Sequence, residues 1–241
     1  MIDYELITSQ GERRKNEDNV RIVDKGALKA FILADGLGGQ GLGDIASRKA
    51  CDSIEKFILE NDFDENMLKN CFKIAQDAVL AAQNECDYFD MRTTLVVLLI
   101  YKGKAYFAHI GDSRLYLFDC DKYKYHSSDH SVPQVLVNLG EIMDKDIRHH
   151  PERNRLLRAL GSSETEDDKL CDIDGERIEV LSKSFLLCSD GFWEWIEEKD
   201  MEKMLKKSST ASTWLNMMCD KVLENGINNN MDNFSAIAVI C

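Results

Sequence analysis

The chain has 241 residues, is 44% hydrophobic, and carries 43 acidic against 30 basic side chains, for a formal net charge of -13. Its length and apolar fraction suit one large folded domain, with only two prolines and no Pro/Gly/Ser-rich linker to divide it. The charge excludes a nucleic-acid backbone as the expected partner, since that partner requires a basic patch, and no apolar run approaches the ~20 residues of a membrane span.

In chain order, DYELITSQ and NVRIVDK read as two strands flanking GERRKNEDN. This connection gathers Arg13, Arg14, Lys15, Asn16, Glu17 and Asp18, so it is either a charged hairpin loop or a place where guanidinium groups meet an oxyanion and carboxylates meet a cation. The next apolar run, LKAFILAD, delivers Asp35 to Gly36. An Asp-Gly pair is a common turn signal, and it is also a way to bring a carboxylate and a backbone carbonyl close to a hard cation.

Apolar residues at helical spacing then predict two long helices, the first from the glycines to Asn61 and the second over about 65–86. TTLVVLLIY, Thr93 to Tyr101, is a nearly continuous apolar strand of the kind covered on both faces. Two further strands lie in AYFAHIGDSRLYLF, broken at Gly111 to Arg114, which puts Asp112 at a strand end. A helix over 132–139 and a long polar stretch follow. CDIDGERIEVL and KSFLLCSD read as strands, the second delivering Asp190 to Gly191. Helical patterns in FWEWIEEKDMEKMLKK and ASTWLNMMCDKVLENG, stopping near Gly226, precede a last strand, FSAIAVIC. Eight cysteines without a CxxC pair, and the lack of a basic-then-apolar leader, lead us to expect reduced thiols and a cytoplasmic location.

Six of these pieces, RRKNED, DGLGG, RTTLV, GDSR, LLCSDGFWE and DNFSAIAV, occur in the order and at the intervals of one family. The chain resembles the metal-dependent protein serine/threonine phosphatases of type 2C, the PPM class, in their compact bacterial form. The resemblance implies an α+β fold, an α-β-β-α sandwich of two antiparallel sheets flanked by helices. It implies a single catalytic domain over 1–241 with a flap at about 131–168.

The function so implied is hydrolysis of phosphoserine and phosphothreonine in proteins by water activated at a binuclear Mn²⁺ or Mg²⁺ centre. Asp35 would bridge the two ions, Glu17 and the Gly36 carbonyl would serve one, and Asp190 and Asp232 the other. Asp112 would help hold a third, weaker ion, Asp18 would order water beside the metals, and Arg13 would clamp the phosphate. The partners implied are phosphorylated proteins, the substrates of a serine/threonine kinase, with neither nucleic acid nor membrane involved.

The alternative is a pseudophosphatase kept as a phosphoprotein-binding module, which would have no need to retain every acid. Three departures from the family pattern stand out. Leu37 and Gln40 occupy positions where some members have histidine. Arg92 replaces the glycine of the usual Met-Gly-Thr-Thr. Which of Arg13 and Arg14 faces the site rests on spacing alone.

Overall fold

The computed structural model describes residues 2–38, 42–86, 88, 90–162 and 170–241. Its strands form two antiparallel sheets. One runs β1 (Asp3–Ser9), β11 (Phe234–Ile240), β10 (Lys183–Cys188), β7 (Arg114–Asp119) and β8 (Lys122–His126), in that order. The other runs β2 (Asp18–Lys25), β3 (Leu28–Leu37), β5 (Leu95–Tyr101), β6 (Lys104–Ile110) and β9 (Asp172–Glu179), with the two-residue β4 (Arg92–Thr93) paired to the end of β3.

The continuous apolar runs explain the layering, because successive side chains of a strand point to opposite faces. In β3, Phe31 and Leu33 face the other sheet while Ala30, Ile32 and Ala34 face the helices α1 (Gly43–Glu60) and α2 (Met67–Cys86). β5 alternates in the same way. From the other side, Phe185 and Leu187 of β10 and Ile237 and Val239 of β11 fill the space between the sheets. Their neighbours Leu186, Cys188, Ala236 and Ala238 pack on the outer layer, which contains α4 (Asp190–Trp193), α5 (Glu198–Leu205) and α6 (Ala211–Gly226). The result is the expected α-β-β-α sandwich. Each fully buried Leu, Ile or Phe of these strands contributes roughly 1.5–3 kcal/mol through burial.

Local differences from the sequence reading have local causes. The segment from Phe192 reads as one helix, yet it divides into α4 and α5 because Glu197 is extended at φ -89°, ψ 152°. That break lets Ile196 enter the outer core. Strand β8 carries no aliphatic residue and was not anticipated; its Tyr123 packs on the outer core instead. The long polar stretch contains α3 (Val132–Asn138), capped by Ser131, and a 3-10 helix at Asp144–His149. It is stitched back to the body by Leu160, which pairs with Thr93. The cysteines whose side chains are described are free thiols. Among the described residues no helix is long and apolar enough to cross a membrane.

Candidate active site

Antiparallel pairing converts sequence distance into proximity at one end of the sandwich. Asp18, first residue of β2, stands directly opposite Asp35 in the β2–β3 ladder. Asp190 starts α4 just beyond β10, and Asp232 lies just before β11, the strand hydrogen-bonded to β10. A cleft of about 480 Å³ opens there, lined by Glu17, Asp35, Gly36, Asp112, Asp190 and Asp232 on its acidic side. Arg13, Arg14 and Lys15 line it as well. Asp18 stands behind the cavity wall, buried, and Asn16 and Arg92 do not line the cleft either. Gln40 lies outside the described residues.

Two close approaches shape the cleft. A Cβ on Gly36 would meet the Gly43 carbonyl oxygen at 2.1 Å, and one on Gly191 would meet that of Asn233 at the same distance. Only glycine lets these backbones pass, so each Asp-Gly pair places its carboxylate where a larger residue would force the wall apart.

The carboxylates are held by backbone and hydroxyl groups. Asp35 N–H donates to Thr94 Oγ1 at 3.0 Å, while Thr93 Oγ1 donates to the Asp35 carbonyl at 2.9 Å. Ser189 Oγ donates to Asp18 Oδ2 at 2.8 Å and accepts from Ser235 N–H at 2.9 Å. Trp193 Nε1 donates to the Asp112 carbonyl at 2.9 Å. Asn233 ties the basic loop down: its Oδ1 accepts from Glu17 N–H and its Nδ2 donates to the carbonyls of Gln10 and Lys15, all at 2.8 Å. Sequence reading missed Asn233, Thr94 and Ser189 as supports. The one signal available was that Asn233 and Ser189 each adjoin an expected ligand.

Arg13 does not point at open space. Its Nε and Nη2 fork onto Asp232 Oδ1 and Oδ2 at 2.9 and 2.8 Å.

The electrostatics are those of crowded acids. Burial first, and then the neighbouring carboxylates, push Asp35 and Asp112 well above the usual carboxylate range. The same causes push Asp190 up to about 7, with Asp232 its largest acidic neighbour. Burial raises Asp18 to about 6 against the opposing hydrogen bonds from Ser235 and Ser189. Glu17 Oε1 and Asp18 Oδ1 are buried and have no hydrogen-bond partner. Among the described residues no three acidic, histidine or cysteine side chains close a coordination sphere as they stand, Asp232 being engaged by Arg13. By donor chemistry the set nevertheless fits a hard divalent cation: all oxygen, mutually repelling, and with partnerless buried oxygens for a cation to satisfy.

A profile of the protein phosphatase 2C family matches residues 10–234. The chain belongs to the protein phosphatase 2C family. Within it, the chain is 32% identical over 225 residues to the serine/threonine phosphatase stp of Listeria innocua, covering 86% of this chain and 84% of that one. The solved serine/threonine phosphatase Stp1 from Staphylococcus aureus superposes with a TM-score of 0.87 at 26% identity, over 100% of this chain and 95% of that one. The catalytic domain of the phosphatase PstP, solved in complex with two manganese ions, has the same fold at 23% identity, with a TM-score of 0.82 over 99% and 97%. This phosphatase 2C chain is therefore an enzyme of the protein serine/threonine phosphatase class.

Proposed function

We propose that the acidic cleft hydrolyses phosphoserine and phosphothreonine in proteins with the help of two divalent ions, Mn²⁺ or Mg²⁺. The observation that carries this reading is the convergence of Glu17, Asp35, Asp190 and Asp232 on one cavity that also contains arginine. Carboxylates that raise one another's pKa are expensive to keep together unless cations neutralise them. Asp35 and Asp190, with Glu17, Asp232 and the Gly36 carbonyl, would hold the ions, and Asp112 a third, weaker one. When bound, such ions would supply charge neutralisation of the phosphate and a lowered pKa for water.

The remaining work falls to the chain. Asp18 is fixed through Oδ2 by Ser189, which leaves Oδ1 to accept a hydrogen bond from water and orient it. Arg13 presents a forked donor suited to phosphate oxygens, exchanging Asp232 for the substrate. Thr94 and Asn233 hold the backbones that carry Asp35 and Glu17 in place. Among the described residues no histidine lines the cleft, so none of them offers an imidazole there to protonate the leaving group.

We read 1–241 as one catalytic domain with 131–168 as a flap beside the cleft; 163–168 lie outside the described residues. The substrates are read as phosphoproteins made by a serine/threonine kinase of the same pathway, in the cytoplasm. Retention of every expected acid gives the pseudophosphatase alternative no support.

The test is phosphate release from a phosphothreonine peptide with Mn²⁺, with chelator, and with Asp190→Ala. Activity that needs both the metal and Asp190 is expected, the variant losing roughly a hundredfold or more. A folded, metal-supplied protein without activity would overturn the reading.

A further inference from the structure

The cleft does not end at its carboxylates. A second cavity of about 210 Å³ adjoins it and shares Leu37, Asn154 and Leu156 as a common wall. Its other lining includes Arg92, Leu157 and Arg158, and among the described residues no acidic side chain contributes to it. In a chain of net charge -13 that composition is unusual.

The two arginines differ in their commitments. Arg158 is bound to Asp172 at 2.8 Å and to His130 Nε2 at 3.0 Å, and so is part of the scaffold. Arg92 is exposed and makes no hydrogen bond or ion pair among the described residues. Its backbone is nonetheless fixed. Arg92 pairs with Leu37 in the ladder, and the next residue, Thr93, donates to the Asp35 carbonyl. A rigid strand therefore presents an uncommitted guanidinium one residue away from the support of the central carboxylate, at the point where the family pattern has glycine.

We propose that this second cavity is a subsite for a negatively charged side chain flanking the phosphoamino acid of the substrate, either a carboxylate or a second phosphate, and that Arg92 is its specificity-determining residue. The inference rests on the acidic cleft being the reaction centre. Two cavities with a common wall accept neighbouring or next-but-one side chains of an extended peptide, whose residues are spaced at about 3.3–3.6 Å. Leu37, Leu156 and Leu157 offer apolar contact to the stem of such a side chain, and the guanidinium offers a fork for its oxygens. Glycine at position 92 would provide neither charge nor wall.

The test uses phosphothreonine peptides that differ only in their flanking residues: Ala, Asp, Lys, or the non-hydrolysable phosphonate analogue of phosphoserine. Peptide kcat/KM is measured with Mn²⁺ for wild type, Arg92→Ala and Arg92→Glu. Wild type should favour the Asp peptide over the Ala peptide by about three- to fivefold, the scale of an exposed ion pair, through KM rather than kcat. Arg92→Ala should bring that ratio close to one, and Arg92→Glu should shift the preference to the Lys peptide. A preference for the phosphonate alone assigns the subsite to phosphate. No preference in wild type, or a preference that survives Arg92→Ala, overturns the proposal. Failure of wild type to hydrolyse every peptide and p-nitrophenyl phosphate would instead count against the cleft as reaction centre. Fluorescence anisotropy of the labelled peptides then decides the subsite: tighter binding of the Asp or phosphonate peptide that is lost in Arg92→Ala sustains it, and equal binding of all peptides overturns it.

Discussion

Arg13 and Asp232, 219 residues apart in sequence, form a two-pronged ion pair across the mouth of the cleft, at 2.9 and 2.8 Å. The guanidinium expected to hold phosphate is held by a carboxylate expected to hold metal, so each group has two possible partners and the cation competes with the ion. Both side chains are about two-fifths to one-third exposed, at 43% and 34%, so the pair is worth only about 0–1 kcal/mol. Exchange of partners is therefore inexpensive.

Arg13→Ala should accordingly do two separable things. It should raise KM for a phosphopeptide while lowering kcat less, because a phosphate contact is lost. It should also lower the Mn²⁺ concentration that gives half activation, by up to about fivefold, since Asp232 no longer has a competing cation. Metal titrations of wild type and variant, each at saturating substrate, check the second effect; a weaker metal response in Arg13→Ala would contradict it.

Stability without metal should depend on pH in a stated direction. Asp190 is raised to about 7 and Asp18 to about 6, and burial raises Asp35 and Asp112 as well, whereas the unfolded carboxyls titrate near ~4. The folded state thus binds more protons, and these groups contribute stability that is lost as pH rises through their folded values. His130, lowered to about 4 by burial and by His109, acts oppositely, but only below its unfolded value of about 6.5. Between about pH 6.5 and 8 the carboxylates remain, and His109, which burial lowers but its hydrogen bond to Asp174 raises on balance, acts in the same direction, so the Tm of chelator-treated protein should fall across that window. Mn²⁺ or Mg²⁺ should raise Tm, more at pH 8 than at pH 6.5, because the ions bind deprotonated carboxylates. Thermal scans with and without metal measure both trends.

Arg114 and Asp129 form a fully buried fork, 2.7 Å at each prong, with the guanidinium 3.7 Å from the centre of the Trp193 ring. Arg114→Ala should cost about 3–5 kcal/mol by leaving Asp129 charged and unpaired in the core. Replacing both partners, Arg114→Met with Asp129→Leu, should recover much of that loss. Urea midpoints at constant m-value test the pair. Activity should fall in Arg114→Ala as well, since Trp193 also holds the carbonyl of Asp112.

Asn233→Ala removes three hydrogen bonds from the loop that carries Arg13 and Glu17. The Glu17 N–H loses its acceptor, the Gln10 and Lys15 carbonyls each lose one bond, the Gln10 carbonyl keeping that from the Arg13 N–H, and a cost of about 2 kcal/mol is expected. The diagnostic effect is functional: the Mn²⁺ requirement should rise more than KM for peptide, because Glu17 loses its anchor while Arg13 keeps Asp232.

Much of the architecture is readable from the chain because it follows from period and punctuation. The alternation of Phe31 and Leu33 with Ala30, Ile32 and Ala34 had to bury both faces of β3, and the Asp-Gly steps at 35–36 and 190–191 had to end strands tightly. The acids of the cleft were visible for the same reason, each sitting at or beside the end of an apolar run. What the sequence by itself determined, then, was most of the strands and helices, though not β8 or the break at Glu197, and the identity of the carboxylates. The tertiary structure alone decided which groups meet. Arg13 turning to Asp232, Asn233 bracing Glu17, Ser189 diverting its hydroxyl to Asp18, and Arg92 opening onto a second cavity all depend on antiparallel register between distant segments. Local propensity carries no information about such pairings, because their energy comes from burial and complementary charge assembled only when both sheets are packed.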